Sequence, residues 1–368
     1  MLKVLTVVGA RPQFIKAAAM SRIFNKDFSD QIEESIVHTG QHFDQNMSEV
    51  FFCELGIPEP LVTFETRNGS HGVSTGKMMA DLDKVIIENR PDLVLVFGDT
   101  NSTIAAALSA SKLDIPVAHV EAGMRSWNRS MPEEINRVVT DHVSSLNLAA
   151  SDAALRNLQA EGLGGTAHVV GDIMFDSLRI FSELRPADEF LDNIFGSNHE
   201  NSKYIVATFH RQQNLEEIGR LNGIVQGLNL VSEYYPVVIP MHPRLRSTLT
   251  RNGLLLRLSE KVKVIDPVSY VQMLALLRFA AAVITDSGGL QKEAFFLRVP
   301  CVTVRDETEW LETVALGWNR MTNAKSADIL RNALEAVGSA GQEGTPYGSG
   351  DSAKKIAELI ISFSAQKG

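Results

Sequence analysis

Acids, a histidine and a serine–glycine loop stand at the ends of apolar runs, where residue type and position together point to chemistry. Asp99 closes "DLVLVFGD", Glu121 closes "IPVAHVE", His210 closes "KYIVATFH", and Asp286-Ser287-Gly288-Gly289 follows "AAVIT". Strand-end loops are where open α/β sheets take their ligands. Glycines at a helix N-terminus expose N–H groups to a pyrophosphate, and the Ser287 hydroxyl adds a donor. Glu293, one turn past Gly289, is placed to accept from ribose hydroxyls. A carboxylate just past a buried strand is a candidate proton carrier. An imidazole such as His210 can act as acid, base or pyrophosphate donor near neutral pH. Together these residues read as an enzyme site for a phosphorylated or nucleotide-linked substrate.

Other positions carry weaker versions of the same signal. In Gly9-Ala10-Arg11-Pro12-Gln13, Pro12 suits a first helical turn, and Arg11 and Lys16 can both face a phosphate there. His242, ahead of Pro243-Arg244, repeats the arrangement of His210-Arg211. Each site also has a plainer structural reading. Asp99 with Thr100 to Ser102, or Asp286 with Ser287, can simply cap the helix that follows. Ser130 and Glu133 have capping-box spacing. Glu133 and Glu134 both fall within reach of Arg137, and spacing does not choose between them.

The elements that must position these residues alternate along the chain: apolar strands, then amphipathic helices, the pattern of parallel α/β sheets. A first series runs from Leu2–Val8 through Ala167–Val170, and a second from Tyr204–Phe209 through Cys301–Val304. Helices are expected near Asp44–Glu54 and Glu133–Ser144 among others, and the polar, turn-rich stretch before residue 203 marks a boundary. We therefore expect two parallel α/β domains, 1–172 and 173–351, with a last helix near 352–366. A chain of 368 residues is long enough for two cores. The net charge of −9 argues against nucleic acid and anionic membrane surfaces as partners. No apolar run approaches the roughly 20 residues of a membrane helix. Cys53 and Cys301 have no metal or redox spacing and are expected as buried thiols of a cytoplasmic protein. Neither a zinc motif nor a Walker loop is present.

The segments "GARPQFIK", "GDTNST", "HVEAGMRS", "MPEEINR", His210-Arg211 with Asn214, and "TDSGGLQKEA" occur in order over nearly the whole chain. In that combination the sequence resembles the non-hydrolysing UDP-N-acetylglucosamine 2-epimerases. The resemblance implies a GT-B fold with two Rossmann-like domains facing a deep cleft, the last helix, 352–366, joining the first domain. It also implies inversion at C2 of a UDP-linked 2-acetamido sugar through a 2-acetamidoglycal, without NAD or metal, and a homodimer. By motif position it assigns Asp99, Glu121, Glu133, Arg137 and His210 to catalysis, choosing Glu133 over Glu134. Arg11, Lys16, His242, Ser287, Gly288, Gly289 and Glu293 fall at UDP-binding positions. Gln41 and His42, in "TGQHFDQNM", match the region where some members bind a second, activating substrate molecule.

The sequence departs from the UDP-N-acetylglucosamine pattern in two places. Gln213 stands where those enzymes carry a glutamate, and Trp310 where they carry an arginine expected to contact substrate. "SWNRSMPEEINR" and "DETEW" look more like the branch acting on UDP-2,3-diacetamido-2,3-dideoxy-glucuronate, which serves bacterial surface polysaccharide such as lipopolysaccharide O-antigen. A hydrolysing epimerase releasing UDP and ManNAc, or a GT-B glycosyltransferase, would share the nucleotide site.

Overall fold

In the computed structural model the chain forms two compact units: Met1–Ile180 with Thr345–Gly368, and Phe181–Gly344. The structure describes residues 1–41, 52, 54–65, 69–182, 187–196, 203–258 and 261–366. Cys53 and most of the helix expected over Asp44–Glu54 lie outside the described residues. Helix Ile173–Phe181, expected with the second domain, belongs to the first unit as far as Ile180.

The first unit carries a parallel sheet of β1 (Leu2–Val8), β2 (Ile32–His38), β3 (Val62–Thr63), β4 (Leu93–Phe97), β5 (Val117–Ala122), β6 (Leu146–Ala149) and β7 (Ala167–Val169). Their spatial order is β3-β2-β1-β4-β5-β6-β7. Every residue of β4 is buried, as expected of a strand covered on both faces. Leu5, Val7, Val94 and Val96 pack on Met78, Leu82 and Val85 of helix His71–Asn89 and on Ala105–Ala107 of helix Asn101–Lys112. The strand order reverses between β1 and β4, so the loops after them diverge and leave a crevice at their C-terminal ends. Gly9–Arg11 and Gly98–Asp99 are those loops.

The C-terminal helix Ser352–Ala365 packs against helix Arg11–Asp27. Asp176 accepts from the Ala353 N–H at 2.9 Å and fixes its start.

The second unit repeats the design with β8 (Ile205–Thr208), β9 (Val237–Pro240), β10 (Val262–Ile265), β11 (Ala282–Thr285), β12 (Cys301–Val304) and β13 (Asn319–Thr322). The order is β10-β9-β8-β11-β12-β13, so the reversal lies between β8 and β11. His210 and Asp286 follow those two strands. Several short elements were not legible in the pattern. Among them is β13, whose mixed "NRMT" lacks an apolar run. Another is helix Ala187–Phe195, whose Phe190, Leu191, Ile194 and Phe195 share a face, with Phe195 stacked on Tyr204 at 4.1 Å between ring centroids. Among the described residues, no helix is long and apolar enough to cross a membrane.

Candidate active site

In the first unit, each strand-end acid is paired with a cation. The Arg137 guanidinium donates to Asp99 Oδ2 at 2.6 Å and to Glu134 Oε2 at 2.8 Å. Glu134 is 1% exposed and also accepts from the Ser126 N–H, Ser126 hydroxyl and Trp127 N–H at 2.9–3.0 Å. It is therefore an anchor that locks Arg137 against Asp99. Crowding by protein raises the Asp99 carboxyl above its ordinary value; Arg137 opposes that rise and Glu121 adds to it. The side chain nevertheless keeps 35% exposure, so this acid is constrained yet reachable.

Glu121 pairs with Lys16 of the first helix, both side chains nearly buried. Its backbone is left-handed, with φ 72°, at a bulge where the β5–β6 register shifts. That conformation costs a non-glycine residue about 1–3 kcal/mol, and bulges re-aim side chains. Gly98 lies beside the pair with φ 64°, the left-handed region that favours glycine, and a Cβ there would only touch Glu121 Oε2 at 3.4 Å and Lys16 Nζ at 3.6 Å. Gln13 ties the loops after β1 and β4 together. Its Oε1 accepts from Gly9 and Ala10 N–H, and its Nε2 donates to the Phe97 carbonyl at 2.9 Å.

In the second unit the hub is Asp286, fully buried. It accepts from the backbone N–H of His210 at 3.0 Å and of Arg211 at 3.1 Å, and from Asn214 Nδ2 at 3.0 Å. Burial pushes its carboxyl up, but the bonds and charge of His210, with Asn214, outweigh that and hold it below its ordinary value. His210 Nδ1 lies 3.3 Å from Asp286, while 47% of the imidazole side chain stays exposed. Ser287 is the N-cap of helix Gly288–Phe296, and its hydroxyl accepts from Leu290 N–H at 3.4 Å. A Cβ on Gly288 would come within 2.9 Å of Glu309 Oε1, whereas one on Gly289 would meet nothing within 4 Å. Glu309 is shared by Arg305 at 2.9 Å and Arg211 at 3.7 Å. Helix N-terminal amides of this kind, beside arginines, are chemically suited to an anion.

Comparison with known proteins decides what this arrangement belongs to. The family described as UDP-N-acetylglucosamine 2-epimerase matches residues 26–361. The UDP-2,3-diacetamido-2,3-dideoxy-D-glucuronate 2-epimerase of Pseudomonas aeruginosa is 45% identical over 98% of this chain and 99% of its own. The chain belongs to the UDP-N-acetylglucosamine 2-epimerase family. The UDP-N-acetylglucosamine 2-epimerase of Methanocaldococcus jannaschii, solved in complex with UDP-GlcNAc and UDP, superposes with a TM-score of 0.89. It is 37% identical, with 98% of this chain and 100% of that one covered. The enzyme from Neisseria meningitidis bound to UDP-GlcNAc gives 0.88 at 30% identity, with the same coverage. The protein is thus an epimerase, an isomerase of GT-B class with two Rossmann-like domains.

Several residues of this epimerase fall in places that spacing did not foresee. Thr100, not Asp99, caps helix Asn101–Lys112, leaving the Asp99 carboxylate for Arg137. Helix Pro132–Val143 is capped at Met131, so Ser130 and Glu133 form no capping box, and Glu133 is exposed on its first turn. Arg11 is the first residue of its helix. Glu293 is buried on the helix that Ser287 caps. His242 caps helix Pro243–Arg251, Nδ1 accepting from Arg244 N–H at 3.2 Å. Gln41 accepts from the Ser102 N–H at 2.8 Å and its hydroxyl at 2.7 Å. His42 lies outside the described residues. Trp310 is buried, with Lys292 Nζ 3.9 Å from its ring centroid, a cation–π contact. Gln213 donates to Asp306 Oδ2 at 3.3 Å, a bond that a glutamate there would replace with repulsion.

The lowered Asp286 carboxyl gives a signed expectation for stability. An acid whose folded value lies below its unfolded value, about 3.9, stabilises fully above the latter. That contribution is lost as pH falls through the folded value. Asp286→Asn should therefore unfold at a lower Tm than the parent at pH 7. The gap should shrink once pH drops below about 4. A gap that stays constant from neutral to acid pH would show that the carboxylate charge contributes nothing.

Proposed function

We propose that this epimerase inverts C2 of a UDP-linked 2-acetamido sugar by eliminating and re-adding UDP, with Asp99 and Glu121 moving the protons. The observation that carries the reading is the pair of cation-held acids at the ends of neighbouring strands β4 and β5. One carboxylate takes the C2 proton, the C1–O electrons leave with UDP, and a C1=C2 bond forms. An acid then protonates C2 on the other face, and the diphosphate oxygen returns to C1. Two faces need two proton carriers, and those roles exchange with direction. Asp99 has a raised proton affinity, whereas Glu121 is ion-paired with Lys16, so the two environments differ as such a division of labour requires. Arg137 holds Asp99, and Glu133 on the same helix is assigned to the site by family position.

The Ser287-Gly288-Gly289 turn and His210 hold the departing diphosphate, with Arg11, Lys16, His242 and Glu293 at the remaining UDP positions. Held there, UDP is kept for return rather than lost to hydrolysis. The 45% identical relative favours UDP-2,3-diacetamido-2,3-dideoxy-glucuronate as substrate, in surface polysaccharide synthesis. The family resemblance extends the reading to a cytoplasmic homodimer, with Gln41 and His42 at a regulatory substrate position.

Incubation of the protein with each UDP-2-acetamido sugar in D2O, followed by NMR at C2, tests the reading. Deuterium should enter C2 with the UDP linkage intact. Release of free UDP in step with turnover would select a hydrolysing enzyme, and no exchange with any such sugar would sink the proposal. Asp99→Asn and Glu121→Gln should each slow exchange by about 10²–10⁴-fold while UDP still binds. Gly288→Ala should weaken UDP binding, because its Cβ would displace the Glu309 carboxylate and disturb its pairs with Arg305 and Arg211. Unchanged calorimetric affinity in that variant would remove the turn from the nucleotide site.

A further inference from the structure

Beneath the two acids lies a charged network that the proposed mechanism does not use. His119, on β5, and Asp141, on helix Pro132–Val143, are both fully buried and 2.7 Å apart. His119 Nε2 lies 2.7 Å from the carbonyl oxygen of Gly98, the residue just before Asp99. Asp141 Oδ2 accepts from the N–H of Gly123, two residues after Glu121, at 3.1 Å. The same carboxylate meets Arg125 at 2.7 Å, and Arg125 is gripped in bidentate fashion by Glu161, both bonds 2.7 Å. One continuous chain of bonds thus runs from the Asp99 loop, through an imidazole and a carboxylate, to the turn that carries Glu121.

A carbonyl oxygen only accepts, and so does an ionised carboxylate, so the ring is held between two acceptors, one on each nitrogen. Arg125 is in turn balanced by Glu161. A buried charge set of this kind is an expensive way to hold a fold, since apolar replacements are often no less stable. Its value lies in direction: hydrogen bonds fix positions that dispersion contacts leave loose. Glu121 depends on this, because its left-handed backbone has to be held from both sides.

We propose that His119 and Asp141 are positioning residues that set the spacing of Asp99 and Glu121 for proton transfer. This rests on the proton-carrier roles assigned to those two acids. His119→Gln loses the ring held between the two acceptors, and Asp141→Asn removes the charge that both His119 and Arg125 face. In each variant kcat and C2 deuterium exchange should fall about 10²-fold, the cost of a small misplacement of reacting groups. UDP affinity should fall far less than kcat, since the Ser287-Gly288-Gly289 turn belongs to the other unit. A folded variant with parental kcat, or one losing kcat only in proportion to UDP affinity or folded fraction, would overturn the proposal.

Histidine-selective nitrogen-15 NMR of the unmodified protein gives a check independent of folding. His119 should show a hydrogen-bonded ring N–H slow to exchange with solvent; ring signals that exchange as fast as those of an exposed histidine overturn the proposal. If Asp99→Asn and Glu121→Gln themselves keep exchange, the acid assignment has failed. If they lose it while the His119 and Asp141 variants keep it, only the positioning role has failed.

Discussion

The structure depends on one electrostatic constraint: a carboxylate at the end of a buried strand needs a cation held where it cannot drift. An acid in such a place is worth little if its partner leaves, because an unpaired buried charge is costly. Arg137 meets this need for Asp99 because Glu134, itself fixed by three donors from the 126–127 turn, holds the guanidinium from behind. Lys16 meets it for Glu121, reaching from the first helix across the reversal between β1 and β4. The apolar sheet supplies the rigidity on which both pairs rest.

The second unit solves a complementary problem around one buried carboxylate. Asp286 gathers two backbone amides, an asparagine and an imidazole, so that the loops after β8 and β11 behave as one piece. His210 keeps an exposed face because its other side is engaged by Asp286. Glu309 plays the same part for Arg211 and Arg305, and packs so close to Gly288 that a Cβ there would push its carboxylate aside. Both units thus place their polar groups at a strand-order reversal, the one position where an open parallel sheet parts its loops.

Much of this was legible in the sequence, because buried parallel strands announce themselves as apolar runs and their ends mark the loops. Asp99, Glu121, His210 and the Ser287 turn were found that way. What stayed hidden was pairing across distance. Lys16 and Glu121 are 105 residues apart, and His119 and Asp141 are 22 apart on different elements. No local spacing rule reaches that far. Adjacent Glu133 and Glu134 read alike until the helix start at Pro132 turns one inward and the other outward. The left-handed backbone of Glu121 left no trace, since only glycine or asparagine usually signals it. That His242 also caps helix Pro243–Arg251 stayed hidden, because a histidine helix cap has no strong sequence signature.

The central claim is that Asp99 and Glu121 act as the two halves of one proton-transfer device. Groups that act as a unit show strongly non-additive kinetics, because losing either already closes the route. The direct measurement is the C2 exchange rate of Asp99→Asn, Glu121→Gln and the double variant, each at saturating substrate. We expect the double variant to be no slower than the slower single one. Multiplying losses would contradict the claim, since they would mean that each acid contributes independently.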